Sequence, residues 1–136
     1  MTDLPVPLVP EMIHRPGEPS HMMRIKPAGR RVAVRFRGRE IAASDRALRV
    51  MEIARDVYDP VLYLPLDDVS APLEETGRST HCPLKGDTTY YDLADDPEGT
   101  EIGWSYTRPL PIATVLEGYI AFDPARVSVE EGPLPS

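Results

Sequence analysis

Residues 30–40 read "RRVAVRFRGRE". Val32, Val34 and Phe36 alternate with Arg31, Ala33, Arg35 and Arg37, the two-residue period of a strand with one face buried and the other in water. Gly38 then suits a tight turn, and "EIAAS" continues as the next short strand. The same signal recurs in "ALRVMEI", in "VLYLP" ended by Pro65, after Pro83, and in "EIGWSYT", "GYIAFD" and "RVSVE". "LDDVS" and "PIATVLE" read as a short turn and a short helical turn. About seven to nine short strands with few helices predict an all-β, antiparallel architecture. No helical pattern is long enough for the repeated crossovers a parallel sheet needs.

A chain of 136 residues has the size of one domain. Its 16 prolines are more than twice the usual share of about 5 % and argue against long helices. The net charge of -7 disfavours nucleic acid as a partner. The single cysteine rules out an intramolecular disulfide, and no signal-peptide pattern opens the chain, so a cytoplasmic location is expected. No apolar run approaches the roughly 20 residues of a membrane-spanning helix, which predicts no membrane partner.

Residues 1–20 carry Pro5, Pro7, Pro10, Pro16 and Pro19 and read as a proline-rich arm. Leu4, Val6, Leu8, Val9, Met12 and Ile13 give that arm apolar side chains to dock with. Residues 21–131 are the expected domain and 132–136 a loose end.

Chemistry concentrates in "STHCPLKGDTTYYDL", residues 79–93. A zinc site is not expected: no CxxC pair exists, and neighbouring His81 and Cys82 point to opposite faces of an extended chain. The same geometry works against a local Cys-His nucleophile, and Pro83 holds Cys82 extended. A lone cysteine also reads as a small buried hydrophobe. Alternation places Lys85, Asp87, Thr89 and Tyr91 on one face and Gly86, Thr88, Tyr90 and Asp92 on the other. On the first face Lys85 and Asp87 either contact a polar ligand or form a solvated ion pair. Trp104 and Tyr106 share a face further on, either as pocket walls or as core. Basic residues crowd between Arg24 and Arg49, with Arg31, Arg35 and Arg37 on one strand face, a phosphate-binding stripe or a cross-paired solvated one. Neither GxxxxGK[ST] nor GxGxxG occurs.

In order, "RRVAVRFRGREIAASDRALRVMEI", "PVLYLPLDDV", "STHCPLKGDTTYYDL", "GWSYTRPLP" and "LEGYIAFDPARVSV" resemble the bacterial and fungal family catalogued as domain of unknown function 427. The resemblance runs from about His21 to Glu130. The motif T-x-C-P-x-K-G-x-x-x-Y-Y is matched by Thr80, Cys82, Pro83, Lys85, Gly86, Tyr90 and Tyr91, and later elements by Trp104, Tyr106, Gly118, Tyr119, Ala121 and Phe122. It implies a β-tent fold, two antiparallel sheets leaning together at a steep angle. Many β-tent proteins clamp zinc with two cysteine pairs; this chain, with one cysteine, departs from them, so no metal or other cofactor is carried over.

The leading functional expectation is a small-molecule ligand in a cleft between the two sheets. Its lining would be Lys85 and Asp87 as charged contacts, Tyr91, Trp104 and Tyr106 as aromatic walls, and Thr80 or Cys82 at the rim. An alternative is an enzyme using Cys82 or Lys85 as nucleophile, or Lys85 and Asp87 as an acid-base pair, on a small or nucleotide-like substrate. A third is a protein or phosphate interaction module using the arm or the arginine stripe.

Overall fold

The computed structural model describes residues 11–133. The strands are β1 (Ile13–Arg15), β2 (Glu18–Pro27), β3 (Val32–Phe36), β4 (Arg39–Ser44), β5 (Leu48–Ile53), β6 (Val61–Pro65), β7 (Leu73–Glu75), β8 (His81–Cys82), β9 (Gly86–Leu93), β10 (Gly103–Pro109), β11 (Tyr119–Phe122) and β12 (Ser128–Glu131). The only helical elements among the described residues are two 3₁₀ segments, Leu66–Asp68 and Pro111–Leu116. The fold is therefore all-β.

The strand at Val32–Phe36 keeps Val32, Val34 and Phe36 buried, with Ala33 and Arg35 between them half-exposed. Arg37 and Gly38 both take positive φ, 52° and 80°, and Phe36 pairs with Arg39. This is the two-residue hairpin whose mirror-image turn matches strand twist. β12 joins the hairpin on its other side, giving a three-stranded sheet ordered β12-β3-β4.

Nine strands form the second sheet, ordered β1-β2-β5-β6-β11-β10-β9-β7, with β8 also on β9. Every pairing is antiparallel, and the part built from β1, β2, β5 and β6 curls into a half-barrel. Its two faces serve two cores. One face presents Leu64, Leu93, Ile120 and Phe122 to Val32, Val34, Phe36 and Ile41 of the small sheet. The other wraps Met23, Val50, Tyr63, Tyr106 and Ala121 around Leu84, Ala113 and Leu116.

The expected arm departs from this structure in part. Residues 1–10 lie outside the described residues, but Ile13–Arg15 and Glu18–Ser20 belong to a β1–β2 hairpin, and Ile13 packs against the second core. Proline there does not prevent pairing: Pro16 sits in the turn, and Pro19 falls in the stretch of β2 where the β1–β2 register shifts, a bulge that tolerates proline. At the other end, the amide of Gly132 donates to the Arg31 carbonyl at 2.7 Å, so the chain is held to that point.

Candidate functional site

β6 and β11 pair only at Tyr119 with Pro65 and Ile120 with Leu64. Where that pairing stops, a groove of about 460 Å³ opens between the large sheet and the β12 edge of the small one. Val61, Leu62, Trp104 and Phe122 line it from the large sheet, and Val34 and Val129 from the small one. Volume and apolar lining fall in the range of small-molecule sites. Its charged edge carries Arg49, partly buried, whose guanidinium meets the Glu131 carboxylate. Arg30 approaches the same carboxylate at 3.5 Å. Two guanidiniums therefore share one carboxylate beside an apolar wall. The two arginines, with burial opposing them only in part, hold the Glu131 carboxyl below the ordinary value, the hydrogen bond from Arg49 contributing most.

Of the seven expected lining residues, Trp104 alone lines this groove. The rest separate for a local reason. Cys82 pairs with Gly86, so Pro83, Leu84 and Lys85 form a turn rather than a strand. Gly86 takes φ +118°, and a Cβ there would stand 2.4 Å from the Arg108 carbonyl oxygen, so only glycine fits. The turn directs Lys85 into the second core, while Asp87 stays on the strand's outer face. Alternation across residues 85–87 therefore fails, and the expected Lys85 and Asp87 pairing with it.

Lys85 is 6 % exposed and its ammonium is paired with the Glu52 carboxylate. The Glu52 carboxylate also accepts a hydrogen bond from His21 Nε2 at 2.8 Å. Burial pushes the Glu52 carboxyl up, but its hydrogen bonds and charge interactions with Lys85 and His21 outweigh this and leave it below the ordinary value. The Lys85 ammonium lies 5.7 Å from the Tyr106 ring centre, within cation–π range. Tyr106 and Tyr63 rings stand 6.4 Å apart, and Trp104 Nε1 donates to the Tyr63 hydroxyl at 3.3 Å. Burial raises both phenols above their ordinary range, with the Glu52 carboxylate acting in the same direction. A continuous polar and aromatic row thus runs from the groove to His21 through Trp104, Tyr63, Tyr106, Lys85 and Glu52.

Asp87 instead meets His81 Nδ1 at 2.7 Å and Arg108 at 3.8 Å, in water. Tyr91 packs half-buried against the first core, on the face opposite Trp104. Thr80 shares hydrogen bonds with Thr88 at 2.8 Å and Tyr90 at 3.2 Å. Cys82 is half-buried against the second core. Its neighbour His81 is committed to Asp87, and no histidine or carboxylate among the described residues bonds to the thiol, so no base is placed to form a thiolate. Among the described residues no group of three or more His, Cys, Asp or Glu side chains is placed to hold a metal ion.

The arginine stripe divides similarly. Arg31, Arg35, Arg37, Arg39, Arg46 and Arg49 each pair with a carboxylate, as a solvated, cross-paired face would. Sequence periodicity had no means to single out Glu52, His21, Tyr63 or Arg49. Only the sheet order brings Glu52, His21 and Tyr63 into one row, and Arg49 to Glu131 at the groove.

The architecture defines an all-β chain with two antiparallel sheets and a groove between them. A family model described as "Domain of unknown function (DUF427)" matches residues 24–132, and the chain belongs to that family. No curated protein matches it. No helix among the described residues is long and apolar enough to cross a membrane.

Proposed function

We propose that this protein binds a small molecule with a flat apolar body and an acidic group in the groove between the sheets. The observation that carries the reading is the shared carboxylate: Arg30 and Arg49 both face Glu131 at the edge of an apolar groove with Trp104 on its wall. An acidic ligand would compete with Glu131 for Arg49, and its ring would lie against apolar side chains. Charge-assisted contacts of this kind orient a ligand while the apolar wall supplies most of the affinity.

Isothermal titration with 8-anilinonaphthalene-1-sulfonate, a flat apolar sulfonate, tests the reading. One saturable site per chain is expected. Arg49→Met is expected to weaken it about tenfold, the effect of losing one charge-assisted contact. Val129→Phe, at a partly exposed groove position, is expected to abolish binding without unfolding the chain. Non-saturating binding, or binding indifferent to both substitutions, would contradict the reading.

A further inference from the structure

A second cavity, of about 440 Å³, lies between the β1–β2 turn and the turn joining β5 to β6. The two turns meet because β2 and β5 are antiparallel neighbours, with Met22 opposite Ile53. Arg15, Glu18, Ser20 and His21 line the cavity from the first of these segments, and Arg55 and Tyr58 from the second. Every other arginine among the described residues has a carboxylate or a backbone carbonyl. Arg15 and Arg55 have neither among the described residues, and Arg15 is half-buried. In a chain of net charge -7, with carboxylates plentiful, the two guanidiniums without a partner among the described residues border the same cavity.

His21 completes the wall without adding a donor to it. Its Nε2 is held by Glu52 at 2.8 Å, which fixes the ring and leaves Nδ1 without a partner among the described residues. The Glu18 carboxylate, which would otherwise compete as an anion, accepts from Ser20 Oγ at 3.0 Å instead of pairing with Arg15. Guanidinium forks match the oxygens of a tetrahedral oxyanion two at a time, and two forks suit a dianion better than a monoanionic carboxylate.

We infer that this cavity is a phosphate-binding site, taking inorganic phosphate or the phosphate group of a phosphomonoester. It is separate from the groove at Trp104 and does not depend on the reading proposed for it.

Titration of the full chain at low salt with inorganic phosphate, ribose 5-phosphate and ribose tests the inference. The phosphate-bearing compounds are expected to bind one site and ribose not to bind. Tighter binding of ribose 5-phosphate would identify a phosphomonoester site, and tighter binding of inorganic phosphate a free-phosphate site. Arg15→Gln and Arg55→Gln are each expected to weaken binding at least tenfold and together to abolish it. Their unfolding temperatures are expected to stay at the parent value, since neither guanidinium holds a partner among the described residues. Absence of phosphate binding in the parent chain, or undiminished binding in the folded double variant, would overturn the inference.

Discussion

The two faces of the large sheet differ in kind. Toward the small sheet, Leu64, Leu93, Ile120 and Phe122 meet Val32, Val34 and Ile41 in a core of aliphatic and phenyl groups. Toward its own concavity, the large sheet places Tyr63, Tyr106 and Trp104 beside the Lys85 and Glu52 ion pair. Adjacent residues of one strand therefore enter unlike environments: Leu64 the first, Tyr63 the second. An aliphatic core is stabilised by area and tight packing. A core holding a charge pair depends on each partner's presence, because the survivor of a broken pair is left desolvated.

That contrast predicts how each region fails. Leu64→Ala, at a fully buried site, is expected to cost about 3 kcal/mol, measured by urea unfolding, with no variant elsewhere able to restore it. Lys85→Met is expected to cost about 2 kcal/mol, below the full penalty of breaking a buried pair, because Glu52 keeps His21 and some water. Here a second substitution helps. The double variant Lys85→Met with Glu52→Gln is expected to recover at least half of that loss, and an additive double-mutant cycle would show the two side chains to be uncoupled.

Acid should separate the regions further. The Glu52 carboxyl is held below its ordinary value of 4.5 in the folded chain, so the unfolded chain binds the proton first as pH falls. The stabilisation is complete above 4.5 and is lost as pH drops through the lowered folded value. Unfolding free energy measured against pH is expected to fall through that window in the parent and less steeply in Glu52→Gln. Equal slopes would remove Glu52 from the account. The smallest effect belongs outside both cores: Arg39 and Asp95 form two hydrogen bonds of 3.0 and 2.9 Å on the surface. Arg39→Ala is expected to leave the unfolding temperature within experimental scatter.

Legibility in the sequence followed local periodicity. Val32 to Phe36, Leu48 to Ile53 and Val61 to Pro65 announce themselves by apolar spacing and by Pro65. β1, β7 and β8 are two or three residues long, too short to carry a period, and β2 contains Pro19 and Pro27. The site was harder to read. Cys82, Lys85, Trp104 and Tyr106 do gather at one core, but Asp87 and Tyr91 leave it, because a single glycine at positive φ interrupts the alternation that grouped them. Nothing local to Lys85 marks Glu52, 33 residues earlier, as its partner; that contact exists only through the order of strands in the curled sheet.

Trp104 is the only tryptophan in the chain, and it lines the groove while donating to Tyr63 of the polar row. Its indole N–H gives one resolvable signal in a proton–nitrogen correlation spectrum, placed where the two regions meet. Titration of 8-anilinonaphthalene-1-sulfonate is expected to shift that signal saturably in the parent chain and to leave it still in Val129→Phe. A stationary indole signal while the dye binds elsewhere would contradict the assignment of the groove as the ligand site.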